Sequence, residues 1–384
     1  MSEPLKKPGL APESYDPRAV PEIISMAKQA QGAPQLKGLP ENVLRGVPHM
    51  GYGNPTPVCY TGSVLRLMEY VGDPSDEREL FALSGAGLCF PWQYQSCCDE
   101  ISIIPEIPLR TFAALGYESE YCYEPDISGP RKYSKEFYME KIKRSIDHGR
   151  PVIGFGFTQA NFTCLITGYY DNGNGLYLRA YWSPEGIPEG YDTEKYYYTD
   201  DWYKKCHGIV AIGEKNGERL AGEKAYAHIC ETAKIFSQMT SVTAAEGQII
   251  YTGFSAFDAM IAWLREGGEE WNLRDGGVYL KPCGILLLQY YRSSLREYLE
   301  ALDKNCPGVV NPAVLSAIRR MSELVPGRER SDWDLGKAVD RKLKNFANMR
   351  KPELREKVAA CVERIAQIDK EIFDYLIGTE DKCA

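Results

Sequence analysis

The chain has 384 residues, more than one hydrophobic core usually supports, so we expect two domains. Apolar residues make up 44% and charged residues 26%, proportions that are ordinary for a globular chain and exclude a largely disordered one. The net charge of -8 gives no electrostatic basis for binding nucleic acid or an anionic membrane surface, so neither is an expected partner.

The first residues carry two lysines but no apolar run after them, and the later apolar stretches are shorter than the roughly 20 residues that cross a bilayer. These patterns predict a cytoplasmic protein.

The twelve cysteines include no CxxC pair, and several lie inside apolar segments, such as Cys164 in FTCLITGYY. We therefore expect thiols and not disulfides, with no structural metal. The glycine-containing segments match no nucleotide-binding loop, so no cofactor is expected.

Residues 1–42 are rich in Pro, Gly and Ala and predict an arm that lies on the body of the protein. The segment TPVCYTGSVLRLMEYVGD then predicts a helix that ends at Gly72. Its apolar residues recur at helical spacing, at Val64, Leu67, Met68 and Val71. Cys59 therefore falls near the N-terminus of a helix.

Two further helices are predicted at about 105–116 and over EFYMEKIKRSIDHG. Five strand-like segments follow: PVIGFGF, FTCLITGYY, GLYLRAYW, KYYYTDDWY and GIVAIGEK. They predict a mostly antiparallel sheet of about five strands beside helices, which makes residues 43–218 an α+β domain. From about 219 onward the pattern predicts helices only, near 221–239, 255–266, 284–303, 312–324, 332–346 and 353–377. Residues 219–384 therefore read as an all-helical domain.

The stretch GRPVIGFGF followed by CLITGYYDNGNGLYLRAYW resembles the later half of papain-like domains related to the bacteriocin-leader peptidases. MGYG lies upstream, SGAG and a tryptophan follow, and DWY and IGEK come after the sheet. With these motifs, residues 43 to about 215 are similar to the N-terminal domain of the butirosin biosynthesis protein H family. The resemblance implies a papain-like cysteine-peptidase fold with an all-α bundle after it. It also implies cysteine-dependent acyl transfer from a carrier protein to a small metabolite, or amide hydrolysis of one.

In active members of the broader group, a cysteine at the start of the first core helix attacks a carbonyl and a histidine on the facing strand takes its proton. The resemblance makes Cys59 the nucleophile and Asn54 a donor to an oxyanion. At the position of the expected histidine this chain has Phe162, preceded by Asn161, and the next strand offers no carboxylate to orient a histidine. His49, about ten residues before Cys59, is the candidate base; alternatively it hydrogen-bonds its own loop.

A second interpretation is a non-catalytic module that kept the papain-like cleft and lost the triad. Aromatic and small residues near the cleft predict an apolar pocket for a small molecule. The candidate lining residues are Tyr52, Tyr60, Trp92, Asn161, Phe162 and Trp182. The bland alternative is that these residues form the core.

A third interpretation makes the helical half the working part, packing on another chain or on its own copy as a homodimer. The apolar stripe of 353–377 would form such a contact, but burial inside the bundle explains it more simply.

Overall fold

The computed structural model describes residues 41–50, 56, 58–92, 101–157, 163–180, 197–199, 201–243, 249–266, 283–324 and 351–378. Most of the predicted arm and the predicted helix at 332–346 lie outside these residues. Within them the chain is a mixed helical and antiparallel-sheet protein, which confirms the α+β class.

One antiparallel sheet of seven strands dominates the described residues up to Lys215. Its strands are β1 (Glu41–Val43), β2 (Tyr117–Tyr123), β3 (Val152–Phe155), β4 (Thr163–Tyr170), β5 (Gly175–Ala180), β6 (Tyr197–Thr199) and β7 (Gly208–Lys215). The spatial order is β2-β7-β3-β4-β5-β6. Strand β5 pairs along one edge of β4. On the other edge, β3 pairs with the first half of β4 and β1 with its last three residues. The prediction of about five strands therefore missed β1 and β2.

Ten α-helices lie among the described residues. They are α1 (Cys59–Tyr70), α2 (Glu77–Leu83), α3 (Glu106–Leu115), α4 (Lys135–Asp147), α5 (Trp202–Lys205), α6 (Gly222–Ser237), α7 (Gly253–Glu266), α8 (Cys283–Asn305), α9 (Pro312–Leu324) and α10 (Pro352–Ile377). All predicted helices that fall on described residues are confirmed, whereas α2 and α5 were not predicted. Asp76 caps α2 by accepting a hydrogen bond from the amide of Arg78 at 2.8 Å.

The region after 219 also contains a short hairpin of β8 (Ser241–Thr243) and β9 (Ile249–Tyr251). The prediction of helices only was wrong at this point, because three-residue strands are too short to show a period of two. The hairpin packs on the first half of the chain, where the backbones of Trp92 and Tyr251 exchange hydrogen bonds of 2.8 and 2.7 Å.

Helices cover both faces of the large sheet. Successive strand residues point to opposite faces, and Thr163 at the start of β4 lies against α1, with its hydroxyl 3.0 Å from that of Ser63. The next residue, Cys164, faces the other side, where burial raises the pKa of its thiol and where Cys206 is a neighbour. Helix α4 packs on β3, β4 and β7 on the face opposite α1.

Helix α10 buries the apolar stripe that the sequence predicted. The buried members are Leu354, Val358, Cys361, Val362, Ile365, Ile372, Phe373 and Leu376, with Ile368 half-buried. Asp369 is buried in the same stripe, where Arg292 of α8 pairs with it. No helix in the described part of the chain is long and apolar enough to span a membrane.

The two halves of the chain share one continuous cluster of buried apolar side chains, which extends from Val47 to Leu376. The predicted boundary at 218/219 falls between β7 and α6, and the boundary at 42/43 falls inside β1. The helical half therefore packs directly on the α+β half. Independent folding of the two parts stays a prediction.

Candidate functional site

Cys59 is the first residue of α1 and its side chain is fully buried. The preceding N-cap residue, Val58, makes no side-chain cap, since it has no hydrogen-bonding atom. The first amides of a helix have no intrahelical acceptor, so this end of α1 carries partial positive charge. A helix N-terminus lowers the pKa of a cysteine placed there, whereas burial in apolar surroundings raises it.

The turn before Cys59 is held by a chain of hydrogen bonds. The amide of Val58 donates to the hydroxyl of Thr56 at 3.3 Å. That hydroxyl lies 3.3 Å from the phenol oxygen of Tyr290 on α8, and Tyr290 in turn donates to the carboxylate of Glu77 on α2. Thr56 is fully buried. Three separate parts of the chain therefore fix the entry to α1.

The first turn of α1 packs on the start of β4. Ser63 donates a hydrogen bond to the carbonyl of Cys59 at 2.9 Å, so the 3.0 Å contact between hydroxyls has Thr163 as donor to Ser63. In the sequence Phe162 stands directly before Thr163, at the position where the resemblance expects a histidine. The start of β4 thus lies beside the turn that carries Cys59.

His49 belongs to a segment on the same face of the sheet as Cys59. Arg179 of β5 is buried and donates from Nε to the carbonyl of Val47 at 3.0 Å. In the ladder Arg179 lies opposite Leu165, whose side chain shares the α1 face of the sheet because it is two residues from the start of β4. Val47, two residues before the half-buried His49, therefore lies on the α1 face of the sheet.

The other three histidines have a ring nitrogen close to a backbone carbonyl. His207 Nδ1 lies 3.0 Å from the carbonyl of Glu124, and His228 Nε2 lies 2.9 Å from that of Leu83. Burial and the nearby Arg110 lower the pKa of His228. His148 is exposed and contacts a carbonyl of its own helix. None of these three contacts involves Cys59.

Two of the predicted pocket residues fill the core. Tyr60 donates to the hydroxyl of Thr111 on α3 at 3.1 Å, and burial raises the pKa of its phenol. Trp92 is fully buried and packs on Trp263, with ring centroids 5.3 Å apart. Tyr52, Asn54, Asn161, Phe162 and Trp182 lie outside the described residues.

The sequence interpretation missed the contact that holds the turn before Cys59 and a buried carboxylate elsewhere in the core. Thr56 and Tyr290 are 234 positions apart, a separation that no local pattern bridges. Glu106, at the start of α3, has a carboxylate oxygen that is buried and has no hydrogen-bond partner among the described residues. It lies near Tyr121, whose pKa is raised chiefly by burial and also by Glu106 and other neighbours. The sequence could have indicated this buried carboxylate, because Glu106 is the one charged residue in the apolar segment IIPEIPL.

A surface groove of about 830 Å³ follows one side of α6. It is lined by Leu220, Lys224, Ala227, His228, Glu231, Lys234, Ile235 and Gln238. Because α6 supplies all of these residues except Leu220 and Gln238, which flank it, the groove has a single helical wall. It contains no cysteine and does not include the turn around Cys59.

The described part of the chain holds no group of three or more His, Cys, Asp or Glu residues placed to bind a metal ion. Its cysteines form no disulfide with one another. In comparisons with known proteins, no family model and no curated protein matches this chain.

Proposed function

We propose that the α+β part is a papain-like domain, similar to the N-terminal domain of the butirosin biosynthesis protein H family, and that Cys59 transfers an acyl group from a carrier-bound thioester to a small metabolite. One observation carries this proposal. Cys59 is the first residue of α1, where backbone amides without an intrahelical acceptor give the helix end a partial positive charge that favours a thiolate.

The arrangement of elements supports the papain-like part of the proposal. In that group the nucleophile begins a helix that packs on an antiparallel sheet. Here α1 begins at Cys59 and packs on β4. The segment carrying His49 lies on the same face, held there by Arg179. The base would therefore come from upstream of the nucleophile and not from the strand that normally supplies it.

The proposed reaction has two steps. His49 takes the proton of Cys59, and the thiolate attacks the carbonyl carbon of the thioester. The bond to the carrier sulfur breaks, and that sulfur leaves with the proton. An amine of the metabolite then attacks the acyl-cysteine, losing a proton through His49 to the departing Cys59 sulfur. The α1 amides stabilise the oxyanion in both steps, with Asn54 as a further donor.

Acyl-enzyme trapping tests this proposal. The protein is incubated with the butyryl thioester of N-acetylcysteamine and examined by intact mass and peptide mapping. We expect one butyryl group on Cys59, none in Cys59→Ala, and unchanged labelling in the control Cys89→Ala, which removes another fully buried thiol. His49→Gln should slow acylation by about 10²- to 10⁴-fold. Labelling spread over several cysteines, or none at all, would contradict the proposal.

A second candidate is a non-catalytic module that binds a small molecule. The complete burial of Cys59, Tyr60 and Trp92 favours it, since a nucleophile must meet its substrate. This candidate predicts that no acyl group is transferred to Cys59 and that Cys59→Ala leaves the protein's ligand affinity unchanged. The trapping experiment separates the two.

A further inference from the structure

The helical half reaches the turn that precedes Cys59 through α8. Tyr290 lies on this helix, and its phenol oxygen is 3.3 Å from the hydroxyl of Thr56. Two residues further along the helix, Arg292 donates hydrogen bonds to the carbonyls of Gly87 and Leu88. The same helix therefore holds two separate segments of the α+β half.

The hydrogen bonds around Thr56 have one direction. A carboxylate only accepts, so Tyr290 donates to Glu77. The phenol oxygen is then the acceptor for the Thr56 hydroxyl, whose own oxygen accepts from the amide of Val58 at 3.3 Å. The chain runs from the N-cap of α1 to a carboxylate on α2, and each bond polarises the next. At its N-cap end the chain of hydrogen bonds begins at the amide of Val58, the residue before Cys59.

Packing fixes the phenol at the centre of this chain. The ring of Phe81 on α2 meets that of Tyr290 edge to face, with centroids 5.5 Å apart. It also contacts the ring of Tyr291 at 5.2 Å. Because Thr56 is fully buried, water cannot take the place of the phenol. Loss of the Tyr290 hydroxyl would leave Thr56 without this partner.

We infer that Tyr290 is a positioning residue for Cys59: through Thr56 it holds the N-cap of α1, so that the helical half sets the geometry of the nucleophile in the α+β half. The inference rests on the proposed function for its consequence in catalysis. Tyr290 acts through Thr56 and the backbone, and touches neither the thiol nor the acyl group.

The test uses the full chain and four variants. Tyr290→Phe and Thr56→Val remove one hydroxyl each from the chain of hydrogen bonds. Thr56→Ser keeps the hydroxyl, and Tyr298→Phe removes a phenol from a half-buried tyrosine two turns further along α8. Two quantities are measured in each: the pH midpoint of iodoacetamide alkylation at Cys59, and the hydrogen exchange of a peptide spanning 58–62. Thermal unfolding records whether each variant is folded.

In Tyr290→Phe and Thr56→Val we expect the midpoint to rise by about half to one pH unit and the exchange of the peptide to accelerate about fivefold. In Thr56→Ser and Tyr298→Phe both quantities should stay at their wild-type values. A lower melting temperature with unchanged midpoint and exchange would show a merely structural role and overturn the inference. A normal midpoint in the wild-type protein, with faster exchange in the first two variants, would instead overturn the proposed function and leave the positioning intact.

Discussion

Replacing Arg292 by methionine is expected to lower the free energy of unfolding by about 3–5 kcal/mol. The guanidinium lies in the core, and with the carboxylate of Asp369 it forms two hydrogen bonds of 2.6 and 2.8 Å. Both side chains are 2% exposed. Methionine fills a similar volume but leaves the Asp369 charge buried without its cation, and deprives the carbonyls of Gly87 and Leu88 of a donor.

Urea unfolding followed by circular dichroism measures this loss, and Arg320→Met is the matched control. Arg320 pairs with Glu371 on the same helix as Asp369, but both side chains are largely exposed, so the control should leave the urea midpoint unchanged. Because Arg292 joins the two halves, wild type should unfold in a single transition. A loss below about 1 kcal/mol in Arg292→Met would show that the pair contributes little to the fold.

Replacing Glu124 by glutamine is expected to cost about 3 kcal/mol at neutral pH. The buried carboxylate accepts from Arg131 at 2.8 and 3.0 Å, from the amide of Lys132 at 2.6 Å and from Tyr138 at 3.0 Å. Arg131 also donates to two carbonyls beside β7, those of Tyr203 and Cys206. Glutamine keeps one acceptor oxygen but leaves the Arg131 charge uncompensated. Its amide NH₂ group would also face one of the hydrogen-bond donors that now surround the carboxylate.

The same carboxylate predicts a dependence of stability on pH. Burial alone would raise the pKa of Glu124, but the hydrogen bonds from Arg131, Lys132 and Tyr138 outweigh it and hold the pKa below its ordinary value. A lowered folded-state pKa gives stability that is present above the unfolded pKa of about 4.3 and is lost as the pH falls through the folded pKa. The difference between wild type and Glu124→Gln should therefore shrink below about pH 4.3.

The control for this prediction is Glu120→Gln, on strand β2, which Glu124 directly follows. Glu120 is half exposed and pairs at the surface with Lys141 and Arg144, so its replacement should change the urea midpoint far less. Equal losses in Glu120→Gln and Glu124→Gln, or a difference from wild type that is as large at pH 3 as at pH 7, would contradict the role of Glu124.

Local patterns predicted much of the fold because those elements have their own periodicity. The structure places helices α1, α3 and α4 and strands β3, β4 and β5 at the sequence segments where they were predicted. The missed strand β2 has the sequence YESEYCY, whose tyrosines favour a strand but whose glutamates reduce its apolar alternation. The missed helix α2 has acidic residues in its first turn, yet its second half, from Leu80 to Leu83, is buried.

The site was predictable only in part. The start of a helix at Cys59 follows from local apolar spacing, and the structure has it there. The contacts that fix this helix do not follow from local text, because Thr56 meets Tyr290 and Ser63 meets Thr163 across long stretches of chain. The segment that carries His49 is likewise held on the α1 face by Arg179, which donates to the carbonyl of Val47. The sequence analysis noted only that this strand offers no carboxylate and gave Arg179 no role.

The rate of Cys59 alkylation by iodoacetamide as a function of pH tests whether Cys59 is an activated nucleophile, with Cys59→Ser identifying the site. Cys89 serves as an internal control, because burial raises the pKa of its thiol to about 12. The account predicts a midpoint for Cys59 well below the ordinary thiol value of about 8.5, with Cys89 unreactive over the same range. A midpoint at or above that value, or a Cys59 as unreactive as Cys89, would contradict the role of Cys59 as a nucleophile. The non-catalytic binding module would then be the remaining candidate.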